Sequence, residues 1–175
     1  VTGSFFYSPS GPGALLLYSA NNTVARSTGV SVSVAGIQVN YGSSNTLSDS
    51  WATASSGYGL LMGNGGRHTV LRSTMTSQTL RGALMGFGSS NTVRNSYFHT
   101  GNGAALYLDA GSFGHLIADS TMSATLGDAV FGDGAGVGLA SHTIVDSFLR
   151  SGGISSGSIS TEISESTASK AGVPM

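Results

Sequence analysis

A phrase of about 23 residues recurs along this chain, and this repeat constrains the fold more than any other feature. Its four clearest copies are GALLLYSANNTVARS (13–27), GIQVNYGSSNTLSDS (36–50), GLLMGNGGRHTVLRS (59–73) and GALMGFGSSNTVRNS (82–96). Each repeat has one aliphatic anchor: Val1, Val24, Leu47, Val70, Val93, Ile117, Ile144 and Ile163. A serine lies three positions after every anchor: Ser4, Ser27, Ser50, Ser73, Ser96, Ser120, Ser147 and Ser166. A period of this length indicates that each repeat is one structural unit.

The second segment of each repeat alternates with period two, which is the period of a β-strand. We expect one face of it to point inward: Ala14, Leu16, Tyr18, Ile37, Val39, Tyr41, Leu60, Met62, Ala83, Met85, Phe87, Leu106, Leu108, Ala129 and Phe131. No apolar pattern at helical spacing runs long enough between glycines to form a helix. So short a unit can bury its apolar face only by coiling, with successive turns stacked in parallel. The sequence predicts an all-β, right-handed, single-stranded parallel β-helix of about seven turns, with residues 1–175 as one domain.

Composition excludes several classes of function. Only 9% of the 175 residues are charged and the net charge is −1, so no basic patch for nucleic acid is expected. The chain lacks cysteine, which excludes disulfides and thiolate metal sites. No apolar run approaches the roughly 18 residues of a membrane helix, so we expect no membrane insertion. Periodic apolar residues, 39% of the chain, argue against disorder despite 27 glycines.

The phrase GIQVNYGSSNTLSDS and its copies resemble the repeats of the right-handed parallel β-helix family, which includes pectate-lyase-like enzymes and tailspike-like solenoids. The resemblance covers nearly the whole chain and implies the fold. It does not decide function, because the family includes enzymes, adhesins and structural rods. Members often stack asparagine at an inward turn position, whereas here the equivalent ladder is serine.

The best catalytic candidates are Asp109, Asp128 and Asp133, which fall on or beside strands of adjacent turns. Two carboxylates on neighbouring turns could act as an acid and base on a polysaccharide. Against this, the chain has only eight acidic residues and lacks the Asp-Asp, Gly-His-Gly and Arg-Ile-Lys signatures of polygalacturonase-like enzymes. We therefore predict a protein that is not an enzyme, without cofactor or metal, with a polysaccharide lyase or hydrolase as the alternative.

Two further columns carry charge or histidine. The residues two positions after the anchors are Arg26, Asp49, Arg72, Asn95, Asp119, Asp146 and Glu165. We interpret them as a surface ion ladder, and the alternative is that the acidic end attracts a cation. Three histidines, His68, His115 and His142, occupy the turn position held by asparagine in other repeats, namely Asn22, Asn45 and Asn91. We therefore predict that they are stacked turn residues and not metal ligands.

Residues alternating with the inward face form an outward apolar stripe: Leu15, Gln38, Leu61, Leu84, Tyr107 and Val130. Such a stripe indicates a covered surface, under a lateral partner or the chain's own terminal segment. A second outward column mixes threonine with aromatic residues: Thr28, Trp51, Thr74, Tyr97, Thr121, Phe148 and Thr167. It is explained by packing between turns or, alternatively, by stacking on sugar rings.

No cap is recognisable at either end, and the chain starts and finishes in nearly the same phase. This predicts head-to-tail stacking into a filament, although an excerpt of a longer β-helix would have the same ends. The end-to-end interface would join Val1, Phe5, Phe6 and Tyr7 to Ile159 and Ile163 of the next subunit. The predicted function is a structural homo-oligomer or homopolymer, extracellular or on a cell or virion surface. The alternative is a carbohydrate-active or glycan-binding domain that uses Tyr107, Asp109 and Asp133.

Overall fold

The computed structural model describes residues 1–132 and 142–152, together with the backbone of 161–164 and 167–170. Twenty-one short strands form three sheets in which every pairing is parallel. The first sheet contains β1 (Phe5–Ser8), β4 (Thr28–Ser31), β7 (Trp51–Ala54), β10 (Thr74–Ser77), β13 (Tyr97–Thr100), β16 (Thr121–Ala124), β19 (Phe148–Ser151) and β21 (Thr167–Lys170). The second contains β2 (Ala14–Leu17), β5 (Ala35–Asn40), β8 (Tyr58–Gly63), β11 (Arg81–Gly86), β14 (Leu106–Leu108) and β17 (Val130–Gly132). The third contains β3 (Thr23–Ala25), β6 (Thr46–Ser48), β9 (Thr69–Leu71), β12 (Thr92–Arg94), β15 (Leu116–Ala118), β18 (His142–Val145) and β20 (Thr161–Ser164).

The chain visits the three sheets in turn, so each coil adds one strand to each sheet. The predicted all-β parallel solenoid is therefore confirmed, and no helix occurs among the described residues. The described strands make about six complete three-strand coils, one fewer than predicted, with β19, β20 and β21 continuing the first and third sheets.

The anchors form one continuous inward column of the third sheet. From Val24 to Ile163 each anchor pairs in register with the next. Between Val24 and Ile144 these side chains are buried, whereas Val1 is 67% exposed. The repeat therefore fills the core, because each anchor side chain packs against the equivalent anchor of the next turn.

The serine column forms a hydrogen-bonded ladder at the corner between the third and first sheets. The Oγ of Ser73 accepts from the backbone N–H of Ser50 at 3.1 Å and donates to the carbonyl of Leu71 at 2.7 Å. The same pair of contacts recurs from Ser27 to Ser147. Each serine thereby satisfies a backbone donor of the turn before it, which explains why the serine recurs in every repeat.

Asparagine and histidine form a second ladder where the chain enters the third sheet. The backbone N–H of His68 donates to Oδ1 of Asn91 at 2.8 Å, and that of Asn91 donates to Nδ1 of His115 at 3.2 Å. Asn45 donates likewise to Nδ1 of His68. The predicted exchange of histidine with asparagine is confirmed, because Oδ1 and Nδ1 offer an acceptor at the same place.

The predicted inward face needs a correction at the corner after the second sheet. Tyr18, Tyr41 and Phe87 were expected inside, but they are 76%, 48% and 62% exposed. Their φ angles lie between 45° and 52°, in the left-handed region. This conformation turns the chain and reverses the alternation, so that the side chain points to solvent.

Candidate functional site

The strongest candidate site is an open groove on the outer side of the second sheet. It encloses about 900 Å³ together with the solvent at its mouth. Side chains from β11, β14 and β17 form its floor, and the three loops that lead into these strands form its edge. Its lining residues include Arg81, Asn102, Tyr107, Asp128 and Phe131.

Aromatic rings and one guanidinium are layered across this groove. The Tyr107 and Phe131 rings, on adjacent strands, stack with centroids 5.2 Å apart and an angle of 11°. The guanidinium carbon of Arg81 lies 3.9 Å from the Tyr107 centroid, and its Nη1 donates to the Tyr58 hydroxyl at 3.4 Å. The ion pairs found among the described residues join Arg72 to Asp49 and Arg94 to Asp119, and neither includes Arg81. A guanidinium this close to a ring face is attracted by the ring, and its N–H donors can also serve an anionic or hydroxyl-bearing ligand.

The register corrects the last member of the predicted outward stripe. Leu15, Gln38, Leu61, Leu84 and Tyr107 pair in this order along the stripe, but the partner of Tyr107 is Phe131. Phe131 was expected on the inward face, and the structure places it on the outward one. Val130 instead pairs with Leu106 in the inward column and packs against the core. The stripe is also less exposed than expected: Leu15 is 50% exposed, whereas its other members are half-buried.

The family described as "Right handed beta helix region" matches residues 36–171, which is most of the chain. The chain belongs to the right-handed β-helix family. This membership confirms the predicted handedness and the resemblance of the repeats. Comparison with curated proteins and with solved structures found no significant match.

Two of the three candidate catalytic aspartates of this β-helix, Asp109 and Asp128, lie far apart. Asp109 follows β14 and accepts from the Ala110 N–H at 2.9 Å, while its carbonyl accepts from Ser112. Asp128 lies opposite Ala104 at the other end of the sheet. Asp109 and Asp128 are five strand positions apart, which corresponds to roughly 16 Å. An acid and base of a glycosidase stand about 5–9.5 Å apart, so these two do not form such a pair. Asp133 lies outside the described residues.

The charged column occupies a corner of the β-helix, as the ion-ladder interpretation requires. Arg72 contacts both carboxylate oxygens of Asp49, at 2.7 and 3.0 Å, and this hydrogen bonding lowers the pKa of Asp49. The column from Arg26 to Asp146 has positive φ throughout, which is unusual for residues with a side chain. No group of three or more metal-ligating side chains was found among the described residues. Glu165, at the acidic end of the column, lies outside them.

The histidine ladder is a titratable element inside this β-helix. His115 and His142 stack with centroids 4.9 Å apart, and both are buried. Burial lowers the pKa of His115 to about 3, with a smaller contribution from His142, and burial also lowers the pKa of His68 and His142. Nε2 of His68 and His115 is buried without a hydrogen-bond partner among the described residues. The imidazoles of His68, His115 and His142 are therefore neutral, and Nδ1 of each accepts a hydrogen bond from a backbone N–H.

Four residues of the predicted end-to-end interface, Val1, Phe5, Phe6 and Tyr7, lie at the first coil. Val1, Phe5 and Tyr7 are 67%, 70% and 59% exposed, whereas Phe6 packs against the core. Strands β1, β2 and β3 are edge strands, each paired on one side. Ile163 lies in β20 opposite Ile144, and Ile159 lies outside the described residues. No helix of the described part is long and apolar enough to cross a membrane.

Proposed function

We propose that this β-helix is a non-enzymatic module that binds an acidic polysaccharide in the groove of its second sheet. The observation that carries the proposal is Arg81, stacked on Tyr107 beside the Tyr107–Phe131 pair. Stacked aromatic rings receive the apolar faces of sugars, and the planar guanidinium fits a carboxylate or sulfate group. Asp128 and Asn102 at the edge of the groove add acceptors and donors for sugar hydroxyls.

The separation of the carboxylates supports binding without chemistry. Asp128 is the aspartate of the described residues that lines the groove, and its partner candidate Asp109 lies at the far end of the strand. A single carboxylate at the groove edge suits hydrogen bonding to hydroxyls better than paired acid and base catalysis. Acidic polysaccharides are polymers of cell walls and extracellular matrices, so we place the protein outside the cell or at a cell or virion surface.

We expect Arg81→Ala to weaken binding to polygalacturonate or alginate at least about tenfold, because a charge-assisted contact is lost. Arg81→Lys should restore only part of the affinity, since lysine keeps the charge but not the planar stack. The matched control is Arg94→Ala, which removes an exposed arginine on the third sheet. Affinity electrophoresis at two salt concentrations measures the effect. Equal retardation of Arg81→Ala and Arg94→Ala would contradict the proposal.

A second candidate function is assembly of copies of this chain into a filament. Its supporting observation is that β1, β2 and β3 are each paired on one side only among the described residues, with Val1, Phe5 and Tyr7 exposed beside them. Open parallel edges pair readily with another chain, and a heterologous contact of this kind does not close. The partner surface would include Ile163 and, in the predicted interface, Ile159.

Phe6 offers a test of this assembly, because its side chain lies at the end of the core. We expect wild-type protein to form filaments that lengthen with concentration in electron micrographs, and Phe6→Glu to remain monomeric. Phe113→Glu, which adds a charge at an exposed ring outside the first coil and outside the predicted interface, is the control. Circular dichroism shows whether both variants keep their β-structure. Dispersed wild-type monomers at every concentration would rule out the filament.

A further inference from the structure

The outward face of the first sheet contains a column in which aromatic residues and threonine alternate strictly. In register order its members are Phe5, Thr28, Trp51, Thr74, Tyr97, Thr121 and Phe148. The register adds Phe5 to the column and thereby reveals the regularity: an aromatic ring occurs on every second turn. We call this set the aromatic column.

All four rings of the aromatic column are accessible. Phe5, Trp51, Tyr97 and Phe148 are 70%, 53%, 39% and 41% exposed. The intervening threonines are half-buried. The large rings therefore project beyond the short hydroxyl-bearing side chains of the threonines. The column formed by both kinds of residue is perpendicular to the strands.

The spacing of the rings follows from sheet geometry. Adjacent parallel strands are about 4.8 Å apart, so rings on every second turn recur at about 9.6 Å, and the column from Phe5 to Phe148 is about 29 Å long. An extended β-1,4-linked glycan is a two-fold ribbon in which each sugar is rotated by half a turn relative to the last. The same sugar face therefore recurs once per disaccharide, at close to the spacing of the rings.

We propose that the aromatic column binds one extended chain of neutral β-1,4-linked glucan parallel to the solenoid axis. Each ring would stack under every second sugar, and the threonine hydroxyls would hydrogen-bond to the sugars between them. The row of short threonine side chains suits an unsubstituted ribbon better than one with bulky side groups. This site lies on a different sheet from the Arg81 groove and does not depend on it.

The electrostatic character of the face agrees with a neutral ligand. The neighbouring outward column consists of Tyr7, Val30, Thr53, Thr76, His99, Ser123 and Arg150. Among these, Arg150 is the one residue with a permanent charge. The rings of His99 and Tyr97 are nearly parallel, with centroids 6.0 Å apart and an interplanar angle of 7°. His99 therefore widens the aromatic surface at that turn.

A shallow recess along the edge of the column supplies polar groups. It encloses about 650 Å³ with its open side and is lined by three consecutive members, Thr74, Tyr97 and Thr121. Its other wall includes Arg72 and Asp119, each of which is already engaged in an ion pair. These groups offer hydrogen bonds to sugar hydroxyls while their charges remain balanced.

The test uses the single tryptophan of the chain, Trp51, which belongs to the column. Titration with cellohexaose should shift and saturate its fluorescence, and the purified chain should bind cellulose in a saturable isotherm. Trp51→Thr and Tyr97→Thr convert ring positions into the residue found on alternate turns, and each should weaken cellulose binding about tenfold. Phe113→Thr, which removes an exposed ring outside the column, is the matched control.

A double variant tests the spacing itself. Trp51→Thr combined with Thr74→Trp keeps the composition but moves one ring by a single turn, so it should bind as weakly as Trp51→Thr. If this double variant bound cellulose with the affinity of the wild type, the inference would be overturned. It would also be overturned if the wild type bound cellulose no more tightly than Trp51→Thr. Binding of chitohexaose in place of cellohexaose would overturn the assignment to glucan. Arg81→Ala should leave cellulose binding unchanged, which separates this test from that of the groove.

Discussion

Replacing Phe98 with alanine should lower the free energy of unfolding by about 3–5 kcal/mol, the largest effect that we expect from a single substitution in this protein. Phe98 is completely buried in β13, between Met75 of β10 and Met122 of β16. In a solenoid each turn touches only its neighbours, so loss of the ring leaves a cavity between two turns that other parts of the core cannot fill.

Urea denaturation followed by circular dichroism measures this effect. Phe113→Ala is the control, because it deletes the same ring from a side chain that is 54% exposed, and it should cost less than about 1 kcal/mol. If the two variants lost similar stability, the Phe98 site would not be a packed interface between turns.

The second large effect is destabilisation of the fold by mild acid. The pKa of His115 is about 3 in the fold and ordinarily 6.5, so between these values the unfolded chain binds a proton that the folded chain does not. The stability contributed by neutral His115 is complete above pH 6.5 and decreases as the pH falls towards 3. At pH 5 the loss is on the order of 2 kcal/mol from this residue alone, and His68 and His142 shift in the same direction.

The structural cause is specific to the ladder. Protonation of Nδ1 of His115 removes the acceptor for the Asn91 N–H and places a positive charge next to the His142 ring. Asparagine at position 115 keeps an acceptor and cannot titrate, as Asn45 and Asn91 show at equivalent positions. His115→Asn should therefore flatten the dependence of the melting temperature on pH between 7 and 5. His99→Asn controls for removal of a histidine outside the ladder, and an equally flat profile for it would contradict this account.

Of the two proposed binding surfaces, the aromatic column follows directly from the parallel stacking of the fold. Parallel stacking converts a residue repeated along the sequence into a column parallel to the solenoid axis. A column presents identical or alternating groups at a fixed spacing, which suits a polymer with its own fixed repeat. The Arg81 groove is different, because it combines Tyr107 and Phe131 from one column with Arg81 from another and so forms one localised site.

The repeating parts of this fold could be predicted from the sequence. Each anchor must pack against the equivalent anchor one turn away, and each serine must hydrogen-bond to the equivalent backbone there. The spacing of these residues in the sequence therefore predicts which residues pair between turns. The exchange of asparagine and histidine could be predicted for the same reason. The candidate groove could be predicted only in part: Tyr107 and Asp128 were identified, whereas Arg81 and Phe131 were not assigned to it.

The errors arose where local geometry overrides the period. One extra residue lies in the loop between β14 and β15, so extrapolation at the earlier period placed Val130 in the outward stripe. Counted from their anchors Val93 and Ile117, Tyr107 and Phe131 are equivalent, and this signal could have identified the correct partner. Tyr18 and Phe87 were placed inside because a strict alternation does not anticipate a left-handed residue at the corner.

The sequence by itself determined that this protein is a parallel solenoid, and it determined which residues stack on which within the regular turns. It did so because a short unit without helices can bury its apolar face only against its own copies. Tertiary structure alone decided which side chains from different columns meet. Arg81 reaches Tyr107 across one turn, and Asp109 and Asp128 lie at opposite ends of a sheet, because the position of a column around the coil depends on corner geometry that no repeat spacing encodes.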